Sequence, residues 1–256
     1  MKIPFFSVVM TTFNRAKCIE QTLESIFNQS FSDYELILVD DCSTDNTSVV
    51  ISKFENVVYF CTPYNTGGPA IPRNIGIDNS KGKWICFCDS DDLYSVEHLQ
   101  NIYNSIVNNH LSNCMISTNA YVMNNGHKET TELLNFKFEG MKEISFESNF
   151  LNNKSILSSL CVCNNGNTHF REDKKYNSFE DYLYVLDNMT AGMNHYILNE
   201  PSVFYDISSP DSIRIKFKTE NLILKAKKDL YVRMNKKLIP LYFILSVKLY
   251  LKKLIS

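Results

Sequence analysis

The feature that most constrains this 256-residue chain is a short apolar run that ends in a cluster of acids. Residues 84–88 read Trp-Ile-Cys-Phe-Cys, and Asp89-Ser90-Asp91-Asp92 follows without a break. The length and composition of the run predict a strand that is buried on both faces. Carboxylates this close repel one another unless a cation lies among them, so the cluster predicts a divalent metal at the carboxyl end of the strand. The alternative is a solvated acidic turn in which Asp91 or Asp92 caps the next helix.

Strand-like and helix-like patterns alternate over residues 5–110, and this alternation predicts an α/β fold with a parallel sheet and right-handed crossovers. Gly (8) and Pro (7) are few while Phe (17) and Tyr (14) are plentiful, so most of the chain should be ordered. The predicted strands are 5–12, 35–39, 57–61 and 84–88, and three of the predicted helices are 17–28, 73–79 and 95–109. A further predicted helix carries Val49, Val50 and Phe54, with Ser43 or Thr44 as its cap.

The pattern is weaker in the second half of the chain. A strand over 115–123 is followed by Asn124-Asn125-Gly126, which is typical of a hairpin turn. Between 128 and 175 the alternation supports only short strands and one helix. Further along we expect a helix over 179–189. The remaining predicted elements are the helix 145–152 and the short strands 196–198 and 203–205.

The net charge of −2 conceals a basic C-terminal segment. Residues 214–256 hold 12 Lys or Arg and 2 Asp or Glu, a net charge of +10, whereas the remaining 14 basic and 26 acidic residues give 1–213 a net charge of −12. The longest uncharged run of the segment, 238–247, is ten residues, and a membrane-spanning helix needs about 20. The segment therefore predicts an amphipathic basic helix on an anionic membrane surface. Alternatively, its helices pack on the preceding domain or pair two subunits into a homodimer.

The eight cysteines show no metal-binding or disulfide pattern. None forms a CxxC pair and no His lies at zinc-finger spacing from them, so we expect reduced thiols that pack as small apolar side chains. The first residues lead directly into a predicted strand, without the pattern of a secretory signal. We therefore expect a cytoplasmic protein that contacts the inner face of the cell membrane peripherally, and nothing in the composition indicates a nucleic-acid partner.

Polar residues recur where the predicted strands end. They are Thr11-Thr12-Phe13-Asn14-Arg15, Asp40-Asp41, a Gly67-Gly68-Pro69 loop with Arg73 six residues after its first glycine, and the acids from Asp89 to Asp92. The carboxyl ends of parallel strands meet at one edge of a sheet, where open α/β sheets bind ligands. We expect the two glycines to allow close approach of the backbone to a ligand, and Arg73 to pair with a phosphate. A lone acidic pair such as Asp40-Asp41 can also be an ordinary helix cap.

Three of these motifs, in this order and spacing, resemble the inverting glycosyltransferases of family 2, which have the GT-A fold. They are Val39-Asp40-Asp41-x-Ser43-x-Asp45, Arg73-Asn74-x-Gly76-Ile77 and Asp89-Ser90-Asp91-Asp92. The resemblance is strong over 4–125 and weaker over 126–210. It implies a mostly parallel central sheet flanked by helices, in a domain of residues 1–213 with a nucleotide-sugar-binding half (1–125) and an acceptor half (126–213), followed by the basic helical tail 214–256.

The resemblance also implies roles for residues of the first half. Thr11 and Phe13 would line the nucleotide base, Asp41 would bind the base edge with Asp40 supporting it, and Arg73 would approach the diphosphate.

The acids after the fourth strand would bind metal and donor. Asp91 is expected to ligate Mg²⁺ or Mn²⁺, Asp89 or Asp91 to contact the ribose, and Asp92 either to share the metal or to face the sugar. Many relatives carry a late His as an additional metal ligand. This chain has none at that position, where Asp206 or Asp211 could substitute.

An inverting transfer needs a base that accepts the proton of the acceptor hydroxyl. The family carries an acidic pair at the start of a late helix, and Glu180-Asp181 matches it, which implies that Asp181 is the base. Glu172-Asp173 is a nearby competitor without a helical pattern after it. His169 and His195 are more typical of structural histidines.

The sequence therefore predicts a metal-dependent glycosyltransferase of bacterial polysaccharide or glycolipid synthesis. The donor would be a nucleotide-diphosphate sugar, most simply a UDP-sugar, and the acceptor a hydroxyl of a glycan or lipid-linked glycan. A nucleotidyltransferase is disfavoured because the chain lacks a Gly-rich basic N-terminal loop, and a dinucleotide oxidoreductase because no G-x-G-x-x-G follows the first strand. The alternative is a catalytically inactive GT-A-like module that binds a glycan or a partner protein.

Overall fold

The computed structural model describes residues 2–208, except 125–126, 135 and 167. The predicted basic tail, with its membrane and dimer contacts, and Asp211 lie outside the described residues, as do Asn125 and Gly126 of the predicted hairpin turn. The strands on either side of that turn do pair antiparallel, with Asn124 opposite His127.

The first half of the chain forms the predicted parallel part of the sheet. Its four strands lie in the order β3-β2-β1-β4, and each pairs parallel with its neighbour. Helical connections follow the strands, as the alternation of patterns predicted. The strands are β1 (Phe6–Thr12), β2 (Tyr34–Asp40), β3 (Val57–Cys61) and β4 (Trp84–Asp89), and the helices are α1 (Ile19–Phe27), α2 (Thr47–Ile51), α3 (Ala70–Asp78) and α4 (His98–Asn108).

The second half extends this sheet with mixed pairing. β4 continues into the order β9-β6-β10-β5, in which β9 is antiparallel to both neighbours and β10 is parallel to β6. The α/β fold is thus confirmed, with a parallel first half and a mixed second half. The added strands are β5 (Leu93–Tyr94), β6 (Cys114–Asn124), β7 (His127–Glu132), β8 (Met141–Glu143), β9 (Leu160–Cys163) and β10 (Asn194–Asp206), and the added helices are α5 (Phe146–Leu151) and α6 (Glu180–Thr190).

Two local predictions were wrong. The two short strands expected at 196–198 and 203–205 form one strand, β10, whose register shifts on either side of Pro201. Proline has no N–H to donate to the ladder, so the shift keeps the strand continuous around it. Neither Ser43 nor Thr44 caps α2, which is preceded by Asn46. Ser43 instead donates its hydroxyl to Asp40 Oδ1 at 2.6 Å.

Side chains of the sheet pack into two apolar clusters, one on each face. Alternate residues of β1 divide between them: Val8 and Met10 pack with α1, whereas Val9 packs on the face that α3 covers. The approach of α3 is close, because a Cβ on Gly76 would lie 2.3 Å from Val9 Cγ1. The Arg73-Asn74-x-Gly76 motif therefore includes a glycine that lets α3 contact β1.

The eight cysteines are all among the described residues and all are free thiols, as expected. In the part of the chain that the structure describes, no helix is both long and apolar enough to cross a bilayer.

Candidate active site

A cavity of about 560 Å³ opens at the carboxyl ends of β1, β2 and β4, facing the start of α6. The apolar run of 84–88 is the buried strand β4, so its terminal acids are carried to the cavity by a rigid element. Eight of the residues that the sequence analysis assigned to the site line it: Thr11, Phe13, Asp41, Arg73, Asp89, Asp91, Asp92 and Asp181. Asp40, which was expected to support Asp41, lies outside the lining.

The lining of the cavity is strongly acidic. Seven of the described lining residues are Asp or Glu and two are Arg. Three of these charged residues were not assigned to the donor or the base from sequence: Arg15, Glu180 and Asp206. Such an excess of carboxylates disfavours a diphosphate unless a cation enters with it.

Arg73 connects the two halves of the chain. Its guanidinium donates from Nη1 to Glu180 Oε1 at 2.7 Å and from Nη2 to Asp89 Oδ1 at 2.8 Å, and the residue is only 5% exposed. These two carboxylates raise the pKa of Arg73 further above its ordinary value, although burial opposes that shift. The guanidinium is thus held in the cavity wall by an acid from each half, and Glu180 Oε2 lacks a hydrogen-bond partner among the described residues.

Asn74 makes a second connection between the halves. Its side-chain amide donates to the Phe170 carbonyl at 3.0 Å and accepts from the Phe170 N–H at 2.8 Å. It also donates to Glu172 Oε1 at 2.9 Å, so Glu172, a residue of the competing acid pair, is engaged with α3. Glu172 and Asp173 lie outside the cavity lining.

Asp89 and Asp92 share a partner that the sequence did not reveal. The Asp89 N–H donates to Ser158 Oγ at 2.9 Å, and the Ser158 hydroxyl donates to Asp92 Oδ2 at 2.5 Å. Asp92 Oδ1 accepts from the Asp206 N–H at 2.9 Å, which ties the end of β4 to the end of β10. Asp92 is 1% exposed, and its burial, together with Asp91 and Asp89, raises its pKa well above the ordinary value.

Asp91 is partly exposed, less than Asp89, whose side chain is 32% exposed, and more than the buried Asp92. The Asp91 side chain is 23% exposed, and Asp91 Oδ2 lies 3.8 Å from Arg15 Nε. Burial and then the charge of Asp89 raise the pKa of Asp91 to about 6, with Asp206 adding to the effect and Arg15 opposing it. Asp92 is therefore buried and hydrogen-bonded, and Asp89 and Asp91 are only partly exposed, which excludes a fully solvated acidic turn.

The acid pair after β2 holds two loops. Asp40 accepts from the Ser43 hydroxyl and from Tyr59 Oη. Asp41 accepts from the Thr62 hydroxyl and from both the backbone N–H and the hydroxyl of Thr66, at 3.0–3.1 Å. Asp41 thus lines the cavity while its carboxylate holds the 62–66 loop through hydrogen bonds. Neither Asp40 nor Asp41 caps α2.

The loop after β1 is fixed by the loop after β2. Asn14 has a positive φ of 52°, and its side-chain oxygen accepts from the Thr44 N–H at 2.8 Å. The Arg15 N–H donates to Thr47 Oγ1 at 2.8 Å. These contacts leave the Phe13 ring 40% exposed at the cavity, where it is available to a planar ligand.

The two glycines of the 67–68 loop accommodate protein side chains. A Cβ on Gly67, which has a positive φ of 84°, would lie 2.8 Å from Lys174 Nζ, and a Cβ on Gly68 would lie 2.6 Å from Asn177 Oδ1. Asn177 also donates to the Gly67 carbonyl at 2.9 Å. The loop of the first half thus contacts the segment that precedes α6 at the edge of the cavity.

The predicted acidic pair opens a helix, as expected. Glu180 and Asp181 form the first turn of α6, and the Asp181 carboxylate accepts from the Tyr182 N–H at 2.7 Å. The two candidate histidines lie outside the cavity lining. His169 pairs with Asp78 at the surface, and His195 is buried between Ser117 Oγ and the Asn149 amide, both at 2.9 Å.

No three His, Cys, Asp or Glu side chains among the described residues converge as a preformed metal cage. Asp206, which stands in the region of the family's late His, does line the cavity, with its carboxylate accepting from the N–H and hydroxyl of Ser208.

Comparison with known proteins agrees with this architecture. The model of the family described as Glycosyl transferase family 2 matches residues 7–174. An uncharacterized glycosyltransferase of Haemophilus influenzae is 39% identical over 43% of this chain and 46% of its own length. Poly(ribitol-phosphate) beta-N-acetylglucosaminyltransferase TarP of Staphylococcus aureus is 42% identical over 38% of this chain and 32% of its own length. The chain thus spans less than half the length of these relatives.

Among solved structures, residues 1–349 of S. aureus TarS in complex with UDP-GlcNAc superpose with a TM-score of 0.73. The two sequences are 24% identical, and the match covers 87% of this chain and 65% of that chain. This likeness shows that the two proteins share the fold.

Proposed function

The chain belongs to glycosyl transferase family 2, and from that premise we propose that it transfers a sugar from a nucleotide-diphosphate sugar to a hydroxyl of a glycan or lipid-linked glycan, inverting the anomeric centre in one displacement. One observation carries the proposal: Asp41 after β2, the acids at the end of β4 and the acid pair that opens α6 line the same cavity. Groups suited to the donor and a base suited to the acceptor are therefore within reach of one bound pair of substrates.

The first half of the chain binds the donor in this proposal. Phe13 stacks on the base and Thr11 lies beside it, while Asp41 accepts from the base edge. Arg73 supplies positive charge beside the diphosphate. We propose UDP as the nucleotide, because the TarS neighbour is described in complexes with UDP-GlcNAc and with UDP.

Mg²⁺ or Mn²⁺ suits the acids after β4. The lining offers oxygen donors but no His or Cys, and Mg²⁺ is usually held by one or two carboxylates together with substrate phosphates and water. Asp91 would hold the ion, because its side chain is partly exposed, whereas the more exposed Asp89 accepts a hydrogen bond from Arg73. Asp89 would lie beside it toward the ribose. Asp92, whose two oxygens accept from Ser158 and β10, faces the sugar or supports its neighbours. When bound there, the ion would stabilise the negative charge of the leaving nucleoside diphosphate.

Asp181 accepts the proton of the acceptor hydroxyl. It lines the cavity in the first turn of α6, where the helix dipole favours an ionised carboxylate. Glu180 holds Arg73 and thereby links the base to the donor half. The proposal thus assigns residues 1–125 to the donor and 126–213 to the acceptor.

A cell-surface polymer is the proposed acceptor. The relatives of this chain include proteins named as poly(ribitol-phosphate) N-acetylglucosaminyl- and glucosyltransferases. A hexosyl or N-acetylhexosaminyl group is accordingly the proposed transferred sugar.

The test is the Asp181→Asn variant, assayed against a panel of UDP-sugars for transfer or hydrolysis in the presence of Mn²⁺. Loss of the base should lower turnover by about 10²- to 10⁴-fold, whereas UDP binding, measured by calorimetry, should persist because Asp181 does not hold the nucleotide. Glu147→Gln is the matched control, because Glu147 is an exposed acid in the first turn of α5 and lies outside the cavity.

Two outcomes would contradict the proposal. A wild-type protein that turns over no nucleotide sugar while still binding a glycan would support the inactive module instead. An Asp181→Asn variant as fast as the wild type would remove the assigned base.

A further inference from the structure

The carboxylate of Asp41 accepts from two hydroxyl groups that also lie near acceptors in their own loop. Thr66 Oγ1 lies 3.0 Å from Asp41 Oδ2 and 3.0 Å from the carbonyl oxygen of Gly68. Thr62 Oγ1 lies 3.0 Å from Asp41 Oδ1 and 2.9 Å from the Tyr64 carbonyl oxygen. A hydroxyl donates a single proton, so each threonine can donate fully either to the carboxylate or to a carbonyl of its own loop.

The backbone N–H of Thr66 holds the loop to Asp41 whichever acceptor the Thr66 hydroxyl takes. This N–H lies 3.0 and 3.1 Å from the two oxygens of the carboxylate. A nucleotide base that donates an N–H to Asp41 would compete with the hydroxyl for the carboxylate. Because the Gly68 carbonyl lies at the same distance, the displaced hydroxyl can turn its proton to that carbonyl and remain hydrogen-bonded.

The other end of this loop contacts the segment that leads into α6. Asn177 Nδ2 donates to the Gly67 carbonyl at 2.9 Å, and a Cβ on Gly68 would lie 2.6 Å from Asn177 Oδ1. Asn177 lines the cavity four residues before Asp181, and its backbone N–H donates to the Lys174 carbonyl at 3.2 Å. A new hydrogen bond at the Gly68 carbonyl would therefore form within one residue of the contact between the two halves of the chain.

We propose that Thr66 is a positioning residue that couples recognition of the nucleotide base to the acceptor side of the cavity. When the nucleotide base donates to Asp41, the Thr66 hydroxyl turns to the Gly68 carbonyl. The loop is then held against Asn177, and this contact fixes the start of α6 with the catalytic base Asp181. The role of Thr66 rests on the proposed function, in which Asp41 accepts from the edge of the nucleotide base.

The test is hydrogen exchange of the backbone amides of residues 174–178, measured on the full chain with and without UDP at saturating Mn²⁺. UDP should slow this exchange in the wild type. Thr66→Val keeps the backbone N–H but removes the hydroxyl, so most of the protection should be lost. Its affinity for UDP should stay within roughly 2-fold of the wild-type value, because one hydrogen bond of the hydroxyl is lost from the free and the bound protein alike.

Two further variants control this measurement. Thr66→Ser keeps the hydroxyl and should restore the protection of 174–178 by UDP. Thr131→Val is the matched control, since Thr131 is exposed in β7 and lies outside the cavity lining. It should keep the wild-type protection.

Turnover gives a second readout. Thr66→Val and Asn177→Ala should each lower kcat for sugar transfer roughly 3- to 10-fold, the effect of one lost hydrogen bond, with little change in the KM for the donor. Because both residues act through the same loop, the double variant should be no slower than the slower single variant. Independent structural damage at the two positions would instead multiply.

The role of Thr66 is overturned if UDP protects 174–178 equally in Thr66→Val and in the wild type, or if the losses of the two single variants multiply. A wild-type protein that binds UDP without any protection of 174–178 would also overturn it, and would leave the proposed donor site intact. A wild-type protein that binds no UDP would contradict the donor site of the proposed function and the role of Thr66 with it.

Discussion

At the scale of single residues, Arg73 should contribute strongly to folding stability as well as to the site. Arg73→Met would leave the buried Glu180 and the partly exposed Asp89 without their common cation, at a cost of about 3–5 kcal/mol in the free energy of unfolding. Urea denaturation measures this cost, and a second substitution, Glu180→Gln, should recover part of it. Arg171→Met is the control, because Arg171 pairs with Asp187 within the second half of the chain. Equal losses in the two variants would show that the ion pairs of Arg73 between the halves add no more stability than an ion pair within one half.

The sequence identified the acids of the site but not their partners. Asp91 and Asp181 were predictable because each lies in a recognisable local pattern. Ser158 was not predictable, because its contact with Asp92 joins residues 66 positions apart and no local pattern surrounds it. The same limit applies to Arg73, whose charge suggested a phosphate partner while its contact with Glu180 spans 107 positions.

The burial of His195 should make the free energy of unfolding depend on pH. Burial lowers the pKa of His195 to about 4 from the ordinary 6.5, so the folded protein keeps the ring neutral where the unfolded chain takes up a proton. Stability is therefore lost as the pH falls from 6.5 toward 4, by about 2 kcal/mol between pH 7 and pH 5 for this group. Urea midpoints at the two pH values should differ less in His195→Gln. Substitution of the exposed His169 by Gln should leave the difference between the two urea midpoints as it is in the wild type. A His195→Gln protein that shows the same difference as the wild type would contradict the prediction.

At the scale of elements, periodicity located the strands and helices of the first half to within a few residues. It failed for β9, whose four residues Leu-Cys-Val-Cys stand in a stretch of weak alternation. That strand is stabilised by its antiparallel pairing with β4 and β6, which are distant in sequence. Long-range pairing of this kind leaves little local signal, and it explains why the mixed half of the sheet was harder to predict.

The contact between α3 and β1 predicts a steric effect. Gly76→Ala would place a methyl group 2.3 Å from Val9 Cγ1, so the helix that carries Arg73 would have to move. Overpacking of this kind costs about 1–3 kcal/mol. Val9→Ala should offset part of that cost, and a double-mutant cycle by urea denaturation would measure the coupling. Gly140→Ala is a control for steric crowding alone, since nothing lies within 4 Å of the added Cβ there. Gly140 has a positive φ of 67°, so any loss in that variant reflects backbone strain. Additive losses for Gly76→Ala and Val9→Ala would contradict the proposed contact.

At the scale of the whole molecule, the basic segment 214–256 remains a prediction, since it lies outside the described residues. Its net charge of +10 against −12 for the rest of the chain favours peripheral contact with an anionic membrane. Removal of residues 236–256 should shift the protein from the membrane pellet to the supernatant on cell fractionation. A truncated protein that stays in the pellet would contradict membrane contact through this segment, and an unchanged distribution with a changed oligomeric mass would favour the dimer.

The two halves of the chain meet at the cavity through Arg73 and Asn177, and Asn74 joins them nearby. We propose that this cavity binds a metal ion and a nucleoside diphosphate. The most direct measurement is anomalous diffraction from crystals soaked with Mn²⁺ and UDP. We expect a manganese peak at bonding distance from the Asp91 carboxylate, shared with the diphosphate, with the base beside Phe13 and Asp41. An empty cavity at saturating ligand, or manganese bound away from the acids after β4, would contradict the account.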